Sequence, residues 1–497
     1  MRVAVILTVT MTILGSAMVY ANAKVIYGDD NRMEVYQASP SLQLLARSSA
    51  AMIEKAKISV SEEQIGMSKI DQRSLRTWLE DQSLDKSNKR LFSSQDDKPV
   101  SFCANEIFVD QPNAAMCSGF LIGPDIMVTA GHCAVLANFC DGYSWVFDYK
   151  IDVETQTAGT SVKNEDIYSC KRLISTTLNG AGLDYAVIQL DRVVQGREPL
   201  TVRTQNKISV GEGLVVIGNP SGLPLKVADG ASVRSSTNPL YFTANLDTFQ
   251  GNSGSAVFNA ETGVVEGILV RGENDYVMNS DLMCVESNRC ANDECRGEDV
   301  TRMTSVPEIF FGPRLALAAT SGDEEALIEI LRNDFWVDFY GKDRVTALMR
   351  ASEAGKNISV KMLLSKGADV SLVDLEGNTS LHYLAATLND ESIDVLEILL
   401  TAHSDLEAIN NFGETPMLKA AANSNLEAVE ILIGAGADKN AVDNNGETAL
   451  FAFMRMGDFE AVRTLIKLGV NPSILNNQGL GVMELEDKSV KKLGKII

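Results

Sequence analysis

A serine, a histidine and an aspartate in three separate stretches of this chain have the residue types that nucleophilic catalysis requires. Ser253 lies between Gly251 and Gly254 in the tract DTFQGNSGSAV, where glycines on both sides let the backbone turn sharply and present the hydroxyl. A hydroxyl is a poor nucleophile near neutral pH, so it needs a base and a third group that orients the base. His132, in MVTAGHC, follows an apolar strand, and Asp184, in GLDYAVIQL, begins another. The pattern predicts acyl-transfer chemistry with these three side chains.

The serine tract also offers hydrogen-bond donors for a developing negative charge. The backbone amides of Gly251 and Ser253 can point at one oxygen, as an oxyanion hole requires. Gly-Asn-Ser-Gly alone also describes many ordinary turns, so the partners of Ser253 carry the argument. The chain has 3 histidines, of which His132 alone lies before residue 300, so a hydrolase that uses imidazole has a single candidate base there.

The chain order His132, Asp184, Ser253, with intervals of 52 and 69 residues, resembles that of the chymotrypsin-like serine proteases over roughly residues 101–300. The resemblance implies an endopeptidase with a Ser-His-Asp triad in the cleft of an all-β double barrel. Its first barrel would supply the histidine and the aspartate, and its second the serine. Short alternating segments separated by Gly, Pro, Asn and Asp turns independently favour an antiparallel barrel or sandwich.

Two resemblances disagree about the substrate. Asp247 lies six residues before Ser253, where trypsin-like enzymes carry the carboxylate that attracts Arg or Lys. The tract around it also resembles that of bacterial glutamyl endopeptidases, in which an aspartate at this offset does not confer basic preference. Leu269 stands where those enzymes have a histidine that reads glutamate, which weakens the prediction of glutamate preference. Arg271 stands where trypsin-like enzymes usually carry an aromatic residue beside the substrate. Its guanidinium could contact an acidic side chain of the substrate or close onto Asp247.

The cysteines predict disulfides. An even number in an exported protein indicates bridges rather than metal ligands, and no metal or cofactor is predicted. The resemblance implies a bridge between Cys117 and Cys133 that closes the loop holding His132, and the other six pairings stay open. All eight lie before residue 296: Cys103, Cys117, Cys133, Cys140, Cys170, Cys284, Cys290 and Cys295.

The amino-terminal residues predict export. Residues 1–23 combine an early arginine, an apolar stretch and a small-x-small end, which predicts a signal peptide cleaved near Ala23 and a secreted or periplasmic protein. An uncleaved anchor helix is the alternative, and no membrane span is expected in the mature chain. Residues 24–100 are interpreted as a polar extension, either an activation segment or a packing segment, with a helix over residues 42–57.

After residue 311 the sequence becomes helical and repeats itself. TSLHYLA, TPMLKAA and TALFAF resemble the signature of ankyrin repeats, which implies an all-α solenoid of about five to six units over residues 312–497, preceded by a linker over 301–311. One helix pair cannot bury its apolar side alone, so the units must stack. Equivalent positions recur at intervals of 33, 33, 36, 33 and 33 residues: Pro313, Thr346, Thr379, Thr415, Thr448 and Gly481.

Five further residues of the repeats have structural interpretations. Gly367, Gly436 and Gly469 are expected to end the second helices in the left-handed conformation. His382 occupies the histidine position of the repeat signature, which predicts hydrogen bonding within the repeats, and His403 is expected at an exposed helix end.

The net charge of -22 argues against nucleic acid or an anionic membrane surface as the main partner. Two functional hypotheses remain. The first hypothesis is an exported serine endopeptidase whose repeats bind a protein partner or a protein substrate. The second is a catalytically silent protease-like scaffold whose repeats carry the function.

Overall fold

The computed structural model describes residues 26–60, 66–71, 73–84, 99–136, 138–151, 161–179, 182–272, 274–333 and 335–484. The predicted signal peptide and residues 485–497 lie outside these ranges. No helix within them is both long and apolar enough to cross a bilayer.

Strands are the more numerous regular elements before residue 303, and the regular elements after it are helices. The strands are β1 (Ile26–Tyr27), β2 (Arg32–Glu34), β3 (Ser49–Glu54), β4 (Ile58–Val60), β5 (Met67–Ile70), β6 (Ala115–Leu121), β7 (Ile126–Thr129), β8 (Tyr143–Phe147), β9 (Ser161–Lys163), β10 (Ile167–Leu178), β11 (Asp184–Leu190), β12 (Gly213–Gly218), β13 (Lys226–Ser235), β14 (Tyr241–Ala244), β15 (Ala256–Asn259), β16 (Val265–Arg271), β17 (Tyr276–Asn279), β18 (Cys284–Ser287), β19 (Arg289–Cys290) and β20 (Glu298–Arg302). The helices are α1 (Pro40–Ala46), α2 (Leu75–Leu84), α3 (Gly131–Ala134), α4 (Phe139–Gly142), α5 (Pro307–Ser321), α6 (Glu324–Ile330), α7 (Ala347–Glu353), α8 (Asn357–Ser365), α9 (Ser380–Thr387), α10 (Ile393–Thr401), α11 (Pro416–Ala422), α12 (Leu426–Gly434), α13 (Ala449–Met456) and α14 (Phe459–Lys467).

Two barrels form the first part of the molecule, as predicted. The first closes in the order β10, β11, β7, β6, β3, β8, around large side chains such as Phe120, Trp145 and Phe147, each at most 1% exposed. The second runs β12, β15, β16, β20, β14, β13 and is closed by pairing of β12 with β13, while β2 adds to the edge of β13. The predicted all-β double barrel followed by a helical solenoid is confirmed.

The first barrel begins earlier than the sequence suggests. The predicted helix over residues 42–57 is wrong in its second half, where β3 pairs with both β6 and β8. The residues of β3, SAAMIE, form a short run that is almost completely buried, and such a run has no periodicity that separates strand from helix. Part of the region interpreted as an extension over 24–100 therefore belongs to the barrel itself.

The boundary between the two parts also differs from the prediction. Residues 301–311, expected to be a linker, comprise the end of β20, a 3-10 turn and the start of α5. They are ordered because Val306 and Ile309 belong to the apolar core cluster to which both barrels contribute. Since α5 begins at Pro307, Pro313 lies inside a helix instead of starting one.

The helices from α5 onward stack around one continuous apolar core. Gly367, Gly436 and Gly469 have φ of 86°, 105° and 88°, so their predicted left-handed conformation is confirmed. The threonines of the repeat signature start the first helix of successive units, where a threonine can satisfy an unpaired amide. The N-caps of α7, α9, α11 and α13 are Thr346, Thr379, Thr415 and Thr448.

His382 joins two neighbouring repeats, as its position in the signature predicts. Its Nε2 lies 3.0 Å from the Glu414 carbonyl oxygen, which can only accept, so Nε2 carries the proton. Nδ1 then accepts from the Thr379 amide at 3.2 Å. Burial lowers the pKa of the His382 imidazole. His403 lies exposed after α10 with a φ of 64°, at a helix end as predicted.

The first repeat packs directly on the first barrel. Tyr340 Oη donates to Asp125 Oδ1 at 2.7 Å, and Gln189 Nε2, from β11, donates to Asp125 Oδ2 at 3.1 Å. All three residues are 2% exposed. Beside them the Arg172 guanidinium lies 4.5 Å from the ring centre of Trp336. The repeats are thus attached to the barrel by a buried polar contact as well as by the chain.

Stability of the repeats should fall in mild acid because of His382. The native pKa of this histidine is lowered, so below the ordinary histidine value of about 6.5 the unfolded chain takes up a proton before the native chain does. We expect His382→Asn to destabilise α9. We also expect the variant to lose less stability than the unaltered protein as pH falls from 7 to 5, because it lacks the titrating imidazole. Hydrogen exchange of α9 and α11 in the full chain measures this. The control is His403→Asn, since asparagine tolerates the left-handed conformation, and an equal effect of both variants would contradict the prediction.

Candidate active site

His132 is placed by a tight fit at the end of β7. It lies in the single turn α3, directly after Gly131. A Cβ on Gly131 would lie 2.3 Å from the Thr177 carbonyl oxygen and 2.8 Å from that of Tyr185, so no larger residue fits. The close approach brings the imidazole against β10 and the beginning of β11.

Asp184, the first residue of β11, holds His132 at two points. Its Oδ1 accepts from the His132 backbone amide at 3.0 Å, and its Oδ2 lies 2.9 Å from Nδ1. A carboxylate that accepts both bonds places the ring proton on Nδ1 and leaves Nε2 as the basic nitrogen. Nε2 is buried, and it has no hydrogen-bond partner among the residues that the structure describes.

The turn that carries Ser253 comes from the second barrel and rests on the strand that leads to His132. A Cβ on Gly254, whose φ is 88°, would lie 2.1 Å from the Ser118 carbonyl oxygen and 2.2 Å from Thr129 Oγ1. Cys133 Sγ lies 3.8 Å from the Ser253 carbonyl oxygen. The serine turn therefore lies against Thr129, at the end of β7, and against Cys133, directly after His132, where the two barrels meet.

Ser118 links these segments, a role that no pattern in the sequence predicts. Its amide donates to the Ser253 carbonyl at 2.8 Å, and its hydroxyl donates to the Gly251 carbonyl at 2.9 Å. The same hydroxyl accepts from the Asn219 amide at 2.9 Å. Ser118 is 1% exposed, and it fixes the backbone on both sides of the serine turn. A serine in a strand has no pattern that distinguishes this role from ordinary core packing.

Gly251 is held in a conformation that favours glycine. Its φ is 95°, and a Cβ there would lie 2.6 Å from the Asn219 carbonyl oxygen and 2.7 Å from the Gly222 amide nitrogen. Its carbonyl oxygen accepts from Ser118, so the peptide group between Gly251 and Asn252 has a fixed orientation. The predicted oxyanion donors, the amides of Gly251 and Ser253, thus lie in a rigid turn.

The disulfides include the bridge that the resemblance implies. Cys117 in β6 is joined to Cys133 in α3, which ties the histidine turn to the barrel. Cys117, His132 and Cys133 have their donor atoms within 4.8 Å of one another, but both sulfurs are committed to the disulfide and cannot ligate a metal ion. The pairings left open by the sequence are Cys103–Cys284, Cys140–Cys170 and Cys290–Cys295.

The two residues singled out for specificity have partners within the chain. Asp247 is 4% exposed; its Oδ1 accepts from the Tyr27 amide at 2.7 Å, and its Oδ2 from the Asn31 amide at 2.9 Å. Burial raises the pKa of the Asp247 carboxyl to about 6. Arg271 pairs with Asp299 at 2.9 Å rather than closing onto Asp247, because the register of β16 and β20 sets Arg271 opposite Asp299.

The guanidinium of Arg271 also reaches the first barrel. Its Nη2 donates to the Gly182 carbonyl at 3.0 Å, two residues before Asp184. A cation on the second barrel thus supports the loop from which the histidine's partner begins.

Comparison with known proteins agrees with the two architectures. Residues 117–268 match the trypsin-like peptidase domain, and residues 315–403 and 383–476 match ankyrin repeats. The chain therefore combines a trypsin-like peptidase domain of the chymotrypsin-like fold with an ankyrin-repeat region.

Two curated proteins are similar to parts of it. Exfoliative toxin A of Staphylococcus aureus is 27% identical over 183 residues, which cover 35% of this chain and 63% of the toxin. A putative ankyrin repeat protein of Acanthamoeba polyphaga mimivirus is 34% identical over 88 residues, which cover 17% of this chain and 12% of that protein. The narrower likeness to glutamyl endopeptidases stays a prediction.

Removing the bridge beside His132 should destabilise the peptidase domain. Cys117 and Cys133 are 16 residues apart, and a disulfide that closes such a loop contributes about 2–4 kcal/mol by restricting the unfolded chain. We expect the double variant Cys117→Ser, Cys133→Ser to lose about that much in the free energy of unfolding, measured in urea. The double variant Cys290→Ser, Cys295→Ser, which opens a separation of 5 residues, is the control with a smaller expected loss. A larger loss in the control would refute this account.

Proposed function

We propose that this protein is an exported serine endopeptidase in which Ser253 is the nucleophile, His132 the general base and Asp184 the residue that orients the base. The observation that supports this most directly is the double hydrogen bond from His132 to Asp184. It leaves the basic nitrogen of the imidazole without a partner among the described residues, beside the turn that carries Ser253.

In the proposed reaction, His132 Nε2 takes the proton as Ser253 Oγ attacks a peptide carbonyl. The imidazolium that forms is stabilised by the Asp184 carboxylate, and it then gives the proton to the leaving amine. Water completes the cycle by attacking the acyl-enzyme, again with His132 as base. The acid product leaves as His132 returns the proton to Ser253 Oγ, so that apart from the peptide and water every group used belongs to the chain.

The amides of Gly251 and Ser253 are the proposed donors to the oxyanion. Fixed donors of this kind contribute about 3 to 4 kcal/mol each to the transition state, because they need no reorganisation when the charge develops. The hydrogen bonds from Ser118 to the carbonyl oxygens of the same two residues support this assignment, since they anchor the backbone directly after each donor amide.

Export and protein binding complete the proposal. All eight cysteines form disulfides, which persist in oxidising compartments, and this supports secretion or transfer to the periplasm after cleavage near Ala23. The ankyrin repeats are proposed to bind a protein, either a regulator or the substrate itself. Their direct attachment to the first barrel through Tyr340 supports a role in presenting or regulating the substrate of the peptidase domain.

The first test separates the endopeptidase from a silent scaffold. Ser253→Ala should lower casein hydrolysis by at least about 10³-fold and abolish covalent labelling by a fluorophosphonate, because it removes the hydroxyl proposed as the nucleophile. Ser255→Ala removes a buried serine two residues away and is the matched control, with labelling retained. If the unaltered protein is not labelled after amino-terminal processing, the scaffold hypothesis stands instead.

A second prediction concerns the orienting carboxylate. Asp184→Asn should keep the fold but lower kcat by about 10⁴-fold, because an amide can donate to Nδ1 and so favours the wrong tautomer. Discontinuous assays at saturating peptide measure kcat, and circular dichroism checks that the variant is folded. A variant with folded spectra and unchanged kcat would show that Asp184 does not orient the base.

A further inference from the structure

The amino-terminal segment, residues 26–34, is built into the second half of the peptidase domain. Its β1 pairs in parallel with β19, and its β2 pairs with β13. Ile26 and Tyr27 are 0% and 2% exposed, although they lie in the region expected to be an extension. The segment therefore pairs with two separate strands of the domain, β19 and β13.

The segment binds Asp247, the first residue of the turn over residues 247–254 that carries Ser253. Asp247, six residues before Ser253, receives one amide hydrogen on each carboxylate oxygen, from Tyr27 and from Asn31. These bonds join positions 220 and 216 residues apart along the chain. A substrate cation that used Asp247 would have to compete for oxygens that are already bonded and almost inaccessible.

A second contact lies two residues further along the turn. The Arg32 guanidinium lies 4.2 Å from the ring centre of Phe249, which is fully buried. Asp30 neutralises it, with 2.7 Å between Arg32 Nη2 and Asp30 Oδ2. A cation stacked on an aromatic face and shielded from water contributes more than an exposed one.

The end of the segment is fixed by a buried ion pair. Lys226 Nζ lies 3.0 Å from Glu34 Oε2 and donates to Gln111 Oε1 at 2.8 Å. Lys226 is 2% exposed and Glu34 is 5% exposed. Leaving one charge of such a pair buried alone is strongly unfavourable, so the segment is expected to dock as a whole or not at all.

We propose that Asp247 is a positioning residue that fixes the Ser253 turn to the amino-terminal segment, and that it is not the ligand of a basic substrate side chain. Docking of the segment is then a condition for a competent active site, whatever residue precedes the cleaved bond. This inference rests on the proposed endopeptidase function for its kinetic consequence, while the docking itself can be measured without any activity.

Asp247→Asn is the direct test, since asparagine keeps the shape but offers only one acceptor oxygen. We expect amide hydrogen exchange to rise about 10-fold or more in both residues 26–34 and residues 247–254, and kcat/KM to fall by a similar factor for peptides with Arg, Lys, Glu or Phe before the cleaved bond. Glu266→Gln is the control: it removes another buried carboxylate of the same barrel, paired with Arg203 at 2.7 Å, and should leave exchange in both ranges unchanged.

The opposite result has a distinct pattern. If Asp247→Asn abolishes cleavage after Arg and Lys alone, with unchanged exchange in residues 26–34, Asp247 binds substrate and the proposal is overturned. Arg32→Gln weakens docking of the same segment at its second contact, with Phe249, and serves if Asp247→Asn does not fold. It too should raise exchange in residues 247–254, and an unchanged turn would overturn the proposal. Absence of fluorophosphonate labelling in the unaltered protein would refute the endopeptidase, while the exchange results would still decide the docking.

Discussion

The hydrogen bonds from His132 to Asp184 are the constraint on which the candidate site depends. They require the turn after β7 to lie against the start of β11, and this contact is possible because Gly131 has no side chain to separate the strands. Pairing of β7 with β11 in the barrel brings the two residues together although they are 52 positions apart. The barrel core of aromatic and aliphatic side chains therefore determines the geometry of one imidazole.

Much of this arrangement could be predicted from the sequence because the signals are local. Glycines around Ser253, a single histidine before residue 300 and an aspartate that opens a strand predicted which side chains to examine. The period near 33 residues predicted the repeats, and Thr415 starts its helix where the period sets it. Alternation and turn residues predicted barrels, since both reflect the packing of each short segment against its neighbours.

The remaining features depend on partners that are distant in sequence and leave no local pattern. The strand SAAMIE is apolar at most positions because it is enclosed on both faces, so its composition resembled a helix. Ser118 has its role because three separate segments meet at one hydroxyl and one amide. Asp247 was interpreted from its distance to Ser253, whereas its surroundings are set by amides 216 and 220 residues away. Contacts of this kind become visible only once the chain is folded.

The buried contact between Tyr340 and Asp125 has a consequence for how the two halves work together. Because the first repeat shares the barrel core, and because residues 301–311 lie in β20, a 3-10 turn and α5, the two halves should lose their structure in one cooperative transition. A protein captured by the repeats would also meet the cleft at a separation set by geometry, whereas a flexible connection would average over many separations. Shifting the capture site by one repeat would change which bond of a long polypeptide reaches Ser253.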